Sequence, residues 1–153
     1  MAHLTARQGY LELADRINLH PQGAPPSELL FRILEMLFSE REAELVARLP
    51  IAPFTADRAA KAWKMPVDAA RVILDELAGR AVLVDIVHEG ETTWALPPPM
   101  AGFFEFSMMR VRDSLAQRLR AFLFLDYVNV EEDFFMEVFT EGESLLGSTF
   151  VCD

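Results

Sequence analysis

Three basic residues flank a predicted turn at Met65–Pro66 and are the best candidates in this chain for contacts with phosphates or bases. Lys61 and Lys64 precede the turn, and Arg71 lies in the helix that is predicted to follow it. Lysine and arginine neutralise backbone phosphates, and arginine also donates to guanine when such a helix enters the major groove. These three residues therefore form the candidate DNA-binding set.

The charge around this set opposes DNA binding. Asp68 and Asp75 share the predicted exposed side of the second helix with Arg71, and the later turn at His88–Glu91 has no lysine or arginine. The whole chain has 14 basic and 24 acidic residues and a net charge of −10. Its final part, Asp126–Asp153, contains no basic residue at all. Because a polyanion gains affinity from cationic contacts, this balance favours a structural use of the segment over DNA reading.

No other group of residues has the spacing of a catalytic or metal site. The serines lack a glycine-flanked nucleophile turn, and no glycine-rich phosphate loop is present. Cys152 is the only cysteine, so the chain has neither an internal disulfide nor a four-cysteine metal or cluster site. The histidines have no partners at ligand spacing and are interpreted as surface residues: His3, His20 and His88. The prediction is a non-enzymatic role without a metal or cofactor bound in this chain. An enzymatic role stays open only if residues outside this sequence or a partner supply the reactive groups.

The hydrophobic pattern predicts a mainly α fold (α+β). A first helix is expected around residues 6–18, followed by a proline-rich linker at His20–Pro26. Ser27, Ser39 and Thr55 each precede an apolar helical pattern, and hydroxyl side chains are favourable caps at helix N-termini. Glutamate follows Ser39 at the third position, which is the spacing of a capping box.

The segment Phe54–Leu96 shows the order of elements of a winged helix-turn-helix, a scaffold that usually reads DNA. Ala81 stands where such modules often have glycine before the wing, so a different turn geometry is expected there. The predicted pieces are a helix at Ala56–Lys64, a second helix at Pro66–Leu77, and a β-hairpin wing from Val82–Val87 and Thr92–Leu96.

Three regions follow from this pattern. Residues 1–26 form an N-terminal helix and linker, residues 27–99 the winged helix-turn-helix domain, and residues 100–153 a C-terminal helical extension packed on it. The first twenty residues lack the apolar core of a secretory signal, and no apolar stretch reaches the roughly 18 residues of a membrane span. We therefore expect a cytoplasmic protein without membrane association.

Several short sequence segments, spread over nearly the whole chain, resemble the N-terminal region of bacterial and archaeal 4Fe-4S ferredoxin-type iron–sulfur proteins. They are Tyr10…Arg16…Asn18, Pro21–Glu28, Leu37–Ser39, Leu49–Pro50…Pro53–Thr55, Glu105–Arg110 and Asn129–Phe134. The resemblance implies a cysteine-rich, cluster-binding region downstream of the winged helix. Since no such region occurs up to Asp153, a 4Fe-4S cluster is expected only if a later cysteine-rich region exists.

Two functions remain open at this stage. The first is a non-catalytic winged-helix domain that mediates protein association, or docks a downstream iron–sulfur module for electron transfer to a redox partner protein. The alternative is a dimeric winged-helix transcriptional regulator that binds DNA through Lys61, Lys64 and Arg71. In both cases the aromatic and methionine residues of the C-terminal helices favour a homodimer.

Overall fold

Six helices and one β-hairpin make up the part of the chain that the computed structural model describes, residues 2–21, 23–99 and 114–131. The described part is mainly helical, as predicted, and the hairpin is antiparallel. In chain order the elements are α1 (Ala2–Ile17), α2 (Glu28–Leu37), α3 (Glu40–Ala47), α4 (Ala56–Trp63), α5 (Val67–Gly79), β1 (Val84–His88), β2 (Glu91–Ala95) and α6 (Ser114–Val130).

The three predicted N-caps are confirmed. The hydroxyl of Ser27 accepts a hydrogen bond from the Leu30 amide at 3.1 Å. At Ser39 the capping box is complete, because its amide donates to the Glu42 carboxylate at 2.8 Å while its hydroxyl accepts from the Glu42 amide. The Thr55 hydroxyl caps α4 by accepting a hydrogen bond from the Arg58 amide at 3.4 Å. These local bonds satisfy backbone donors that helices leave unpaired and so define where α2, α3 and α4 begin.

Helix α1 packs mainly against α3 and buries Tyr10, Leu13 and Ile17. Side-chain donors from distant parts of the chain bind the carbonyls at the ends of α2 and α3. The Tyr10 hydroxyl donates to the carbonyl of Phe38 at 2.9 Å, and Arg16 Nε donates to the carbonyl of Ala47 at 2.7 Å. A cation at a helix C-terminus also complements the helix dipole. Helix α1 is thus an integral part of the core.

The linker after α1 is fixed by Asn18. Its Nδ2 donates to the carbonyls of Ala14 and Ala24, both at 2.9 Å, and its Oδ1 accepts from the Ala24 amide at 2.6 Å. A Cβ at Gly23 would stand 2.6 Å from the same Oδ1, so glycine permits this close approach. The Tyr127 hydroxyl of α6 donates to the carbonyl of Pro25 at 3.0 Å. The linker therefore connects α1 to α6, which packs against α2.

The hairpin has a two-residue turn at Glu89–Gly90, with His88 paired to Glu91. Both turn residues have positive φ, 51° and 83°, as a type I′ turn requires. The strand bounds differ from the predicted Val82–Val87 and Thr92–Leu96. Val82 and Leu83 are buried and precede β1, and Leu96 follows β2. A backbone bridge between Phe54 and Trp94 joins the hairpin to the chain preceding α4.

Non-glycine residues with left-handed backbone occur at the tight connections of this region. They are Lys64 after α4, Ala81 after α5 and Glu89 in the hairpin turn, with φ of 55°, 59° and 51°. At Ala81 the chain keeps the conformation that glycine ordinarily supplies, so the residue differs while the backbone remains left-handed. Such a conformation costs an L-residue about 1–2 kcal/mol.

Replacing Glu89 with asparagine is expected to raise the free energy of unfolding by about 1 kcal/mol, because asparagine tolerates the left-handed region better than glutamate. Urea unfolding followed by far-UV circular dichroism measures the change. Glu91→Gln is the matched control, since it removes the same charge from β2 without touching a left-handed residue. An equal gain in both variants would attribute the effect to charge and contradict the backbone explanation.

Candidate nucleic-acid interface

The exposed side of α4 holds the two lysines that sequence analysis selected. Helix α4 buries Ala56, Ala59, Ala60 and Trp63, which leaves Lys61 and Lys64 exposed next to the turn into α5. Arg58 and Asp57 are exposed on the same helix. Arg58 was not among the predicted site residues, although its spacing of three residues from Lys61 predicts a neighbouring position on a helix surface. The outward residues of α4 are thus mostly basic.

Helix α5, the candidate reading helix, has the opposite charge. Its inner side contains Ala70, Leu74, Leu77 and Ala78. Its exposed charged residues are one arginine and three acids: Arg71, Asp68, Asp75 and Glu76. A DNA phosphate near this helix would therefore lie close to three carboxylates, which lowers the affinity of the protein for a polyanion.

Arg71 differs from the two lysines in having an aromatic contact. Its guanidinium carbon lies 5.8 Å from the centre of the Trp94 ring, and Trp94 is fully buried at the base of the hairpin. A cation over an indole contributes about 0.5–1 kcal/mol at an exposed site. The structure therefore gives Arg71 a contact between α5 and the hairpin, a role that sequence analysis did not predict.

The hairpin surface is acidic and partly apolar. Asp85, Glu89 and Glu91 are exposed, and the hairpin has no lysine or arginine. The side chains of Ile86 and Val87 are exposed by 42% and 67%. Ile86 and Val87 were predicted to lie in the wing, but their exposure was not predicted. The available signal was the run of β-branched residues on adjacent positions of β1, which a strand with one buried side would not need.

The interpretation of His20 as a surface residue was wrong. Its side chain is only partly exposed, and its Nε2 atom is buried with no hydrogen-bond partner among the described residues. Burial lowers the pKa of His20, and a hydrogen bond with the Leu96 backbone offsets part of that effect. The linker and the chain after β2 enclose this imidazole, a contact between distant segments that local sequence does not reveal. His88 is exposed on the hairpin, as expected.

The lowered pKa of His20 predicts a loss of stability in acid. Unfolded histidine titrates near pH 6.5, so below that pH the unfolded chain binds a proton that the folded chain accepts only at lower pH. The free energy of unfolding is therefore expected to fall as pH decreases from about 7.5 to about 5.5. Urea unfolding at both pH values measures this, and His20→Gln should flatten the dependence. His88→Gln is the control and should retain it; the same flattening there would contradict the assignment to His20.

Within residues 2–21, 23–99 and 114–131, no cluster of three or more histidine, cysteine or acidic side chains could hold a metal ion. No described helix combines the length and apolar character needed to cross a bilayer. Cys152 and most of the predicted C-terminal extension lie outside the described residues. Comparisons with protein-family models, with curated proteins and with solved structures found no match to this chain.

Proposed function

We propose that residues 54–96 form a winged helix-turn-helix module that serves protein association and not DNA reading. The order of elements supports the fold: a helix, α3, is followed by the bridging residue Phe54, two helices joined by a left-handed turn at Lys64, and the hairpin as the wing. The single bridging residue Phe54, which lies beside β2 where a short third strand would be, is also typical of this scaffold. Helices α1 and α6 pack against α3 and α2, the helices that precede the module in the chain.

The observation that carries the proposed function is the surface of α5 and the hairpin. Their exposed charged residues are one arginine and six carboxylates, and the arginine contacts Trp94. Val72, Ile86 and Val87 are exposed apolar residues on the same elements. DNA binding needs cationic groups here, whereas a protein partner gains from burying apolar side chains with acidic neighbours at the rim.

One form of this association is the docking of a downstream redox module, which the resemblance to 4Fe-4S ferredoxin-type proteins implies. Four-iron clusters are held by cysteine thiolates, and this chain has a single cysteine, Cys152. The residues present do not fit a cluster, so one would have to be bound by residues outside this sequence. The role of the described domain would then be to orient that module toward a redox partner protein.

Titration of the chain into fluorescein-labelled duplex DNA at low salt distinguishes protein association from DNA binding. We expect no salt-dependent rise in anisotropy from the wild-type chain, because the wing and the reading helix are acidic. Binding that weakens steeply with salt would overturn the proposal.

The second candidate function is the dimeric DNA-binding regulator, favoured by one observation. Arg58, Lys61 and Lys64 are all exposed on α4, the helix that precedes the reading helix. If these residues contact phosphates, Lys61→Ala plus Lys64→Ala should reduce the slope of log affinity against log salt by about 2. Arg32→Ala on α2 is a control, because that exposed arginine lies on another helix. Equal loss in the control would remove the specific role of α4.

We also propose that a homodimer forms through the C-terminal helices. In α6, Phe122 and Leu125 are exposed by 65% and 60%, although Leu123 and Tyr127 are buried. Sedimentation velocity over a wide concentration range tests this, and Phe122→Ser plus Leu125→Ser should shift the species to monomer. Val72→Ser on α5 is the matched control for a loss of exposed apolar surface. A wild-type chain that is monomeric throughout would rule out the dimer.

A further inference from the structure

The outer edge of β1 has backbone groups that no other strand of the described chain pairs. Trp94 exchanges two backbone hydrogen bonds with Phe54, both at 2.8 Å, so the amide and carbonyl of Trp94 point away from β1. Asp85 is the residue of β1 opposite Trp94. Since opposite residues of an antiparallel pair either bond each other or both point away, the amide and carbonyl of Asp85 point outward.

The same alternation extends this edge to Val87. Residues two apart on a strand direct their backbone groups to the same side, so Val87 presents its amide and carbonyl outward with Asp85. The intervening residue Ile86 pairs with Thr93 of β2. No backbone hydrogen bond from the described ranges reaches the outward groups of Asp85 or Val87. Among the described residues, strand β1 is therefore an open edge of the small sheet.

The side chains of this edge are unlike those of a protected one. Proteins commonly guard exposed edges with charged side chains, above all lysine, or with proline or bulges. Strand β1 has no lysine, proline or bulge, and it exposes Ile86 on one face and Val87 on the other. Asp85 is its only charged residue. An added strand would pair the free backbone groups and cover both apolar side chains.

The acidic charge of the hairpin indicates which kind of added strand β1 would bind. Asp85, Glu89 and Glu91 lie on it, and no lysine or arginine occurs in the sequence between Arg80 and Arg110. A second copy pairing β1 with β1 would bring two sets of these carboxylates together, and like charges on facing strands are destabilising. A segment with lysine or arginine alternating with apolar residues is complementary both in charge and in its two-residue period.

We propose that the outer edge of β1, Val84–His88, binds an extended basic segment of a partner protein by strand addition. This inference rests on the proposed role in protein association and names the surface and the chemistry of the partner. Backbone hydrogen bonds at Asp85 and Val87 would give affinity, while the carboxylates of the hairpin would select the basic side chains.

The experiment uses the full chain and a short fluorescein-labelled peptide in which lysine and valine alternate. Fluorescence anisotropy measures affinity, and a second peptide with the same sequence but N-methylated at alternate residues keeps the charge while losing the backbone donors. We expect the methylated peptide to bind at least about tenfold more weakly. Amide hydrogen exchange at Asp85 and Val87 should slow when the unmethylated peptide binds, because their amides become paired.

Two variants locate the binding on the hairpin. Asp85→Lys should lower the affinity for the unmethylated peptide at least about tenfold, whereas Asp15→Lys, the same substitution at an exposed residue of α1, should leave that affinity nearly unchanged. Val87→Pro removes an outward amide and not a bond to β2, so it should weaken binding while circular dichroism reports an unchanged fold. Peptide affinity that does not depend on N-methylation, or that falls equally with Asp15→Lys, would overturn strand addition.

The experiments distinguish a failure of the β1 binding site from a failure of the proposed function. If the chain binds neither the peptide nor duplex DNA, the β1 site is overturned and the proposal of protein association remains. Salt-dependent duplex binding would overturn protein association itself. Self-association that Asp85→Lys alters and Phe122→Ser plus Leu125→Ser does not would assign the edge to a second copy and overturn the basic partner.

Discussion

Replacing Trp94 with alanine is expected to lower the free energy of unfolding by about 3–5 kcal/mol, the range for large aromatic side chains removed from a core. Trp94 has no exposed surface, and its backbone exchanges hydrogen bonds with Phe54. Its ring also lies beneath the guanidinium of Arg71. Because small domains are stable by only about 5–15 kcal/mol, the loss is a large share of the total. Urea unfolding followed by far-UV circular dichroism gives the value.

Trp94→Phe is the matched control for this substitution. The indole Nε1 of Trp94 is buried without a hydrogen-bond partner among the described residues, so phenylalanine removes an unsatisfied donor along with some volume. These effects oppose each other, and we expect the phenylalanine variant to lose no more than about 1–2 kcal/mol. Equal destabilisation by both substitutions would show that the indole, and not the filled volume, is what the site requires.

Replacing Tyr127 with alanine is the second substitution with a large expected effect, a loss of about 3–5 kcal/mol. The Tyr127 side chain is fully buried where α6 packs on α2, and its hydroxyl donates to the carbonyl of Pro25. Burial raises the pKa of Tyr127 and the Glu131 carboxylate acts in the same direction, so the phenol stays protonated and able to donate at neutral pH. Urea unfolding measures the loss of stability.

Tyr127→Phe separates the hydrogen bond from the packing of the ring. Phenylalanine keeps the ring but leaves the Pro25 carbonyl without this donor, which is expected to cost about 1–3 kcal/mol. A smaller loss than in the alanine variant is therefore expected. If the two variants were equally destabilised, the ring of Tyr127 would contribute nothing and the contact between α6 and the linker would depend on the hydroxyl alone.

The helix starts were predictable because their causes are local. The Ser39 hydroxyl and the Glu42 carboxylate that complete the capping box are three positions apart, so the sequence contains the whole interaction. At Pro66 the prediction was off by one residue, because proline precedes α5 in an extended conformation with ψ of 147° and Val67 is the first helical residue. A fixed φ suits both positions, and sequence does not distinguish them.

The strand bounds and the candidate site depended on contacts between distant residues. Val82 and Leu83 are buried without being part of β1, and β-branched composition alone does not separate these two situations. The exposure of Lys61 follows from the helical spacing of α4. The contact of Arg71 with Trp94 and the burial of His20 depend on how α5, the hairpin and the linker meet, which no local pattern contains.

The side-chain donors at the ends of α2 and α3 have a consequence for how the molecule opens. These helices have 10 and 8 residues, lengths at which isolated helices are marginal in water. Tyr10 and Arg16 of α1 bind their terminal carbonyls, and Trp63 of α4 donates to the Leu45 carbonyl at 2.7 Å. Helix α2 therefore loses a bond to its terminal carbonyl when α1 leaves, and α3 loses one when either α1 or α4 leaves. Native-state hydrogen exchange should show α1 to α4 opening as one cooperative unit, with a common free energy.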